Sequence, residues 1–129
     1  PDLVIPVPLS AKRVKERGYN QSARIARPLA RRLGVRFNSF GLERIRDTRS
    51  QVGLSALDRH RNVAGAFKGE SEIVAGKLVL LIDDVMTTGS TLEACTLALL
   101  DAEAKAVYCL TIARYSKRMS RENPIQYQV

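Results

Sequence analysis

Two adjacent carboxylates, Asp83 and Asp84, follow an apolar run, and a loop rich in hydroxyl groups follows them in "LLIDDVMTTGST". Carboxylates bind divalent cations or sugar hydroxyls. A glycine and several hydroxyls just before a helix suit a phosphate, because the first N–H groups of a helix have no partner within it and carry partial positive charge. A ligand that carries both kinds of group, such as a sugar phosphate with Mg²⁺, fits the two halves of the stretch.

Other nucleotide motifs do not explain this stretch. An acidic strand end also occurs in Walker B motifs, but the chain contains neither G-x-x-x-x-G-K-[ST] nor G-x-G-x-x-G. A receiver-type phosphoacceptor would lack the T-T-G-S-T segment. A simple capped helix stays open as an alternative, although a cap needs only one hydroxyl.

The surrounding pattern alternates strands and helices. Apolar runs predict strands at 3–7, 78–82 and 106–113, with a weaker candidate at 35–42. Apolar spacing predicts helices at 20–33, where Pro28 indicates a kink or a broken start, and at 91–102. Ser55 is a candidate N-cap for a short helix at 56–61. This order predicts an open, mainly parallel α/β sheet flanked by helices, with ligands at the carboxyl ends of its strands.

Composition indicates a globular domain of 129 residues with a net charge of +8. No apolar run is long enough to cross a bilayer and no signal peptide is visible, so a cytoplasmic protein is expected. Cys95 and Cys109 are predicted to be reduced core thiols. The chain begins without methionine, and we expect a natural N-terminal segment to be missing. The basic excess favours phosphate, on a small polyanion or on nucleic acid.

Three segments resemble one family. "VLLIDDVMTTGST" is similar to the phosphoribosyl pyrophosphate (PRPP) signature of type I phosphoribosyltransferases. "VIPVPLSAKRVKERGYNQSARIA" and "RDTRSQVGLSALDRHRNVAGAF" are similar to the opening and middle blocks of the ComF/ComFC (GntX-like) competence family. Together they cover most of residues 3–114, which we interpret as a phosphoribosyltransferase-like domain followed by a polar tail at 115–129.

The resemblance implies four groups of site residues. The acid pair, Asp83 and Asp84, would hold the ribose hydroxyls, directly or through Mg²⁺. The loop after it would wrap the 5′-phosphate and comprises Val85, Met86, Thr87, Thr88, Gly89, Ser90 and Thr91. The end of the first strand would contact the pyrophosphate, with Pro6, Val7, Pro8, Leu9 and Ser10 and the nearby cations Lys12, Arg13 and Arg17. The block from Thr48 to Arg61 would close over the reaction centre, with Gln51, Arg59 and Asn62 as candidate contacts there.

The resemblance also implies a function: binding of PRPP with Mg²⁺, linked to the handling of transforming DNA. Thr87 stands where enzymes for 6-oxopurines carry an aspartate, which argues against hypoxanthine–guanine salvage, and no hood for a nucleobase is visible. The acceptor and transferase turnover therefore stay open. A single-stranded DNA-binding module and a PRPP-sensing regulator are the alternatives, with a homo-oligomer and partners in the competence machinery as further expectations.

Overall fold

A computed structural model describes residues 1–46, 55, 57, 58, 64–86 and 89–114. Its main sheet has four parallel strands in the order β2-β1-β5-β6. The strands are β1 (Leu3–Pro6), β2 (Arg36–Phe37), β5 (Leu78–Met86) and β6 (Ala106–Arg114). The helices are α1 (Ala11–Arg17), α2 (Gln21–Leu33), α3 (Ser71–Val74) and α4 (Ser90–Asp101). The predicted parallel α/β class is confirmed.

Strand β5 is central, as its apolar run predicts. Leu3–Pro6 pairs with 79–82 on one side, and Ala106–Arg114 pairs with 78–86 on the other. The strand is longer than the predicted 78–82, because its pairing with β6 continues through Asp83 to Met86. The acid pair therefore lies inside the last part of a paired strand and not in the loop beyond it.

Two apolar layers cover the sheet. Leu92, Cys95 and Leu99 of α4 share one buried cluster with Ile5 and Leu81. The other cluster contains Ala26 and Ala30 of α2, together with Val4 and Ile82. Neighbouring residues of a strand point to opposite faces of the sheet. Ile5 packs with α4 and its neighbour Val4 packs with α2, so the two helices cover opposite faces.

Helix α2 begins and ends at capping residues. Asn20 Oδ1 accepts a hydrogen bond from Ala23 N–H at 3.2 Å, and Gly34 adopts the left-handed conformation (φ 67°) at the C-terminus. The helix is continuous through Pro28, so a broken start is wrong. Pro28 and Arg24 are both exposed, and we expect solvent to satisfy the Arg24 carbonyl that loses its helical N–H partner. The apolar spacing that predicts this helix also places Leu33 on its packing face, but Leu33 is 51% exposed at the C-terminal end.

Several elements differ from the predictions. The predicted strand at 35–42 is divided by a 3₁₀ helix at Ser39–Gly41, where Asn38 Oδ1 accepts from Phe40 N–H at 2.8 Å. Helices α1 and α3 were not predicted. Neither was an antiparallel pair formed by β3 (Leu42–Arg44) and β4 (Phe67–Gly69).

The small β3–β4 sheet packs against α4. A Cβ atom added at Gly69 would lie 2.6 Å from the Ala98 carbonyl oxygen and 2.8 Å from Ala102 Cβ. The absence of a side chain at Gly69 therefore permits this close approach. No described helix is long and apolar enough to cross a membrane. The predicted division between a domain ending at 114 and a tail at 115–129 stays a prediction, since the tail is outside the described ranges.

Candidate functional site

The candidate site lies where β1 and β5 run side by side. The connection from β1 to β2 contains α2, and the connection from β5 to β6 contains α4. In the sheet, β2 and β6 lie on opposite sides of the β1–β5 pair, so the two connections leave in opposite directions, and their helices cover opposite faces. Such a switch point leaves a crevice beyond the carboxyl ends of the two strands, where ligands bind in open α/β sheets. Pro6 pairs with Ile82, which places the loop after β1 next to the acid pair.

Asp83 is held on one side of its carboxylate. Its Oδ1 accepts a hydrogen bond from Ser22 Oγ–H of α2 at 3.3 Å and from Asp84 N–H at 2.9 Å. The side chain is only 9% exposed, whereas Asp84 is half-buried. Two internal donors, one from α2 and one from the backbone of β5, therefore hold Oδ1.

Burial makes Asp83 a weak acid. Loss of hydration raises the pKa of its carboxyl to about 7, with the hydrogen bond and the negative charge of the Asp84 side chain adding to the rise. The hydrogen bonds from Asp84 N–H and Ser22 oppose the rise. A bound cation would favour the charged form, because it replaces the lost hydration. The Asp83 carboxyl is thus costly to keep ionised without a ligand.

The same carboxylate affects the thiol of α4. Burial raises the pKa of Cys95 well above its usual range, and the charge of Asp83 raises it further. Cys95 is fully buried, as predicted for a core thiol. Cys109 is exposed on β6, so its prediction as a core residue is wrong, because the edge position of that strand leaves the side chain open to solvent.

The predicted pyrophosphate loop, 6–10, is anchored at its start. Val7 N–H donates to the Ile82 carbonyl at 2.8 Å, and the Val7 carbonyl accepts from Asn20 Nδ2 at 3.1 Å. Pro6 and Pro8 have no N–H group, so Leu9 and Ser10 are the remaining residues of the loop with main-chain donors. Ser10 Oγ accepts from Arg13 N–H at 3.2 Å and caps α1.

The predicted 5′-phosphate loop ends at the N-terminus of α4. Gly89 occupies the N-cap position with φ 83°, a left-handed conformation that glycine adopts without strain. Ser90 is buried and Thr91 is half-buried in the first turn. Val85 and Met86 belong to β5, so they are part of a strand and not of a loop. Thr87 and Thr88 lie outside the described residues.

The three predicted cations near the pyrophosphate loop stand on α1. This helix is not among those predicted from the sequence. Lys12 and Arg13 occupy the first turn of α1, and Arg17 occupies its last turn. Lys12 and Arg17 are exposed and Arg13 is half-buried. The basic charge therefore follows the loop on a helix that begins directly after Ser10.

The predicted closing segment connects β3 to β4. Its ends are held together, because Arg44 pairs with Phe67 and Ile45 N–H donates to the Ala66 carbonyl at 2.8 Å. Ser55 Oγ accepts from Asp58 N–H at 3.1 Å, which is the predicted capping contact. Gln51, Arg59 and Asn62 lie outside the described ranges, and their roles stay predictions.

The donor set of the acid pair fits Mg²⁺ bound together with a phosphorylated ligand. Within the described ranges, no group of three or more His, Cys, Asp or Glu side chains is placed to hold a metal. Two carboxylates suffice for Mg²⁺ in sites where substrate phosphates and water supply the other oxygens. Such an ion would bind with its substrate and not as a permanent structural metal.

Two residues of this site were not singled out from the sequence. Ser22 contacts Asp83 across 61 positions of the chain, and Asn20 contacts Val7 across 13 positions. Both lie in "RGYNQS", a segment that carried the family resemblance but had no assigned role. The local signal at Asn20 is that of an N-cap, which gives no indication of its second contact.

Comparison with known proteins supports the interpretation of the fold and the motif. Residues 20–129 match the phosphoribosyl transferase domain family. The chain is 41% identical over 112 residues to the DNA utilization protein YhgH of Escherichia coli (strain K12), covering 85% of this chain and 49% of that protein. It is 41% identical over 96 residues to competence protein F of Haemophilus influenzae, covering 72% of this chain and 42% of that protein. It is 30% identical over 116 residues to competence protein ComFC of Bacillus subtilis, covering 87% and 44%.

The chain thus spans about half the length of the curated relatives that it matches. Among solved structures, a glutamine PRPP amidotransferase from B. subtilis complexed with ADP and GMP matches with a TM-score of 0.57 and 26% identity. That match covers 85% of this chain and 22% of the amidotransferase. The chain therefore belongs to the phosphoribosyl transferase domain family, as a ComF-type member of the type I phosphoribosyltransferases.

Proposed function

We propose that this domain binds PRPP together with Mg²⁺ in the crevice between β1 and β5. The observation that carries the proposal is the register of these strands, which brings the acid pair beside the 6–10 loop. The glycine-led N-terminus of α4 follows the acid pair in the same chain segment. In this proposal the carboxylates bind the ribose hydroxyls and the main-chain donors of the 6–10 loop bind the pyrophosphate. The N-terminus of α4 binds the 5′-phosphate.

Each part of the site has a separate role in the proposal. The Asp83 and Asp84 carboxylates orient the ribose and hold Mg²⁺. The N–H groups of Leu9 and Ser10 bind the pyrophosphate, and Gly89, Ser90 and Thr91 bind the 5′-phosphate, with Thr87 and Thr88 as further predicted contacts. When bound, Mg²⁺ supplies positive charge that stabilises the departing pyrophosphate.

If transfer occurs, the bond between ribose C1 and the pyrophosphate oxygen breaks and a nucleophile of the acceptor takes its place. The residues of this chain contribute by holding the ring and the leaving group in line and by placing donors where negative charge develops. The 48–61 block with Gln51 and Arg59, together with Asn62 directly after it, is proposed to exclude water from this centre. The acceptor stays undefined.

Isothermal titration with PRPP tests the proposal, in the presence and absence of Mg²⁺. We expect binding that requires Mg²⁺ in the wild type. The double variant Asp83→Asn, Asp84→Asn should lose the Mg²⁺ requirement and most of the affinity, because size is kept and both charges are removed. Asp101→Asn, at an exposed position of α4, is the matched control. Equal Mg²⁺-dependent binding by the double variant would refute the assignment of the acid pair.

A second function, binding of single-stranded DNA, is favoured by a specific surface. Arg24, Arg27 and Arg31 form an exposed stripe on α2, which we call the α2 arginine stripe. The Arg24 guanidinium lies 4.7 Å from the ring centroid of Tyr19, and that of Arg27 lies 4.6 Å from the ring centroid of Phe37. Cations beside aromatic rings can bind phosphates and stack with bases.

The names of these relatives refer to DNA utilization and competence, and we propose a related role for this chain, including partners in the competence machinery. In that role PRPP acts as substrate or as regulatory ligand. Release of pyrophosphate in the presence of an acceptor distinguishes the transferase from the PRPP sensor. Two free thiols suit a reducing compartment, and we propose a cytoplasmic location.

A further inference from the structure

The first turn of α2 contacts two separate parts of the crevice. Asn20 reaches the loop after β1, and Ser22 reaches the acid pair of β5. Ser22 is 4% exposed and Asn20 is half-buried, so both contacts form inside the protein. Neither residue belongs to the signature motif, and neither is a predicted ligand contact.

Asn20 uses both ends of its amide group. Its Oδ1 accepts from Ala23 N–H at 3.2 Å, which caps α2, while its Nδ2 donates to the Val7 carbonyl at 3.1 Å. An N-cap needs only an acceptor, and serine or aspartate would serve equally well there. The choice of an amide is explained by the second contact, which ties the pyrophosphate loop to the helix.

Ser22 acts on the other half of the site. Its hydroxyl donates to Oδ1 of Asp83, the same oxygen that accepts from Asp84 N–H. With Oδ1 held by two donors, one on α2 and one in the backbone of β5, rotation of the Asp83 carboxylate is restricted. A carboxylate oriented before binding does not have to be ordered when the ligand arrives.

We propose that the first turn of α2 is the positioning element of the PRPP site: Asn20 sets the path of the pyrophosphate loop and Ser22 sets the orientation of Asp83. This inference rests on the proposed function. Because α2 is a rigid element packed on β1 and β5 through Ala26 and Ala30, one helix fixes the spacing between the pyrophosphate contacts and the ribose contacts. The two residues position other groups and touch no reacting atom.

Substitution of Asn20 separates its cap from its second contact. Asn20→Ser keeps a capping acceptor but loses the donor to Val7, so the urea midpoint should fall less than in Asn20→Ala, while affinity for Mg²⁺-pyrophosphate and for PRPP falls about tenfold, the effect of roughly 1.4 kcal/mol. Ribose 5-phosphate, which lacks the pyrophosphate, should bind within about twofold of wild type. Asn20→Ala loses both contacts and should also lower the urea midpoint.

Asn38→Ser is the matched control, because Asn38 caps the 3₁₀ helix through the same kind of contact with Phe40. It should bind all three ligands as the wild type does. A purely structural role for Asn20 would weaken ribose 5-phosphate as much as pyrophosphate, or would alter only the urea midpoint, and either result overturns the inference.

The role of Ser22 is tested by removing its hydroxyl group. Ser22→Ala should weaken the Mg²⁺-dependent part of PRPP binding several-fold, and Ser22→Thr, which keeps the donor, should restore it. Equal binding by a folded Ser22→Ala protein overturns this half of the inference. If the wild type itself does not bind PRPP with Mg²⁺, the proposed function fails and the inference fails with it, whereas wild-type binding with unaffected variants refutes the inference alone.

Discussion

Asp83→Asn should stabilise the ligand-free protein at neutral pH, although it removes a residue of the proposed site. The buried carboxyl has a folded-state pKa of about 7 against an ordinary value of 3.8, because burial and the neighbouring Asp84 disfavour its charged form. An asparagine side chain is uncharged, so its burial avoids the cost of removing water from a charged group. Its Oδ1 can accept from Ser22 and from Asp84 N–H, as the carboxylate Oδ1 does.

The sign and the magnitude follow from proton linkage. Between the two pKa values the folded protein holds a proton that the unfolded chain has lost, so wild-type stability falls as pH rises through this window and is constant above it. Each pH unit corresponds to about 1.4 kcal/mol, and the full window of about three units to roughly 4 kcal/mol. Water that reaches the crevice reduces this upper bound, and we expect a net gain of about 2 kcal/mol for the variant above pH 7.

The assay is urea unfolding of wild type and variant without Mg²⁺, at pH 5, 6, 7 and 8. The difference in free energy of unfolding should already be present at pH 5, because that pH lies above the ordinary pKa of 3.8, and it should grow up to pH 7 and then level off. Asp101→Asn, which removes the same charge from an exposed position, corrects for the change in net charge. A difference in free energy of unfolding that does not vary with pH, or a variant less stable than wild type at pH 8, would refute the conclusion that burial destabilises the charged form of Asp83.

The other predictions concern the phosphate loop, the basic surface and the thiols. Gly89→Val should reduce PRPP affinity at least about tenfold in a folded protein, since a β-branched residue at φ 83° must change the backbone that approaches the phosphate; unchanged titration would contradict the site. Replacing the α2 arginine stripe with glutamine should flatten the salt dependence of single-stranded DNA affinity by up to about two units of slope between about 50 and 200 mM salt, measured by fluorescence anisotropy. An equal slope in both proteins would remove the stripe from the DNA surface. A maleimide should label one thiol of the native protein and two after unfolding, because Cys109 is exposed and Cys95 is buried with a raised pKa; Cys109→Ser should abolish the native reaction.

Local sequence was sufficient to predict those parts of the candidate site that lie within one continuous segment of the chain. Five consecutive apolar residues predict the buried strand at 78–82, and the pattern after it predicts a helix at 91–102, which the structure has at Ser90–Asp101. The exposure of the α2 arginine stripe follows from helical spacing, because alanines at 26 and 30 occupy the opposite side. These features depend on residues a few positions apart, whose side chains the backbone period places on one face.

Helix α1 and the paired strands β3 and β4 were harder to predict. Their apolar residues are few, and the β3–β4 contacts join positions more than twenty residues apart. Pairing also explains why β5 continues to Met86: the acid pair has poor strand propensity, but the backbone of β6 alongside provides hydrogen-bond partners.

The amino-acid sequence by itself determined the acid pair at the end of a buried strand, the glycine before α4 and the order of the main-sheet strands and their two long helices, since each depends on short-range pattern. Only the tertiary structure decided that Ser22 orients Asp83, that Asn20 holds the loop after β1 and that the Asp83 carboxyl is buried enough to raise its pKa. The physical reason is that hydration and hydrogen-bond partners of a side chain depend on what packs around it. For Asp83 one of the two hydrogen-bond donors comes from a helix sixty-one positions away in the chain.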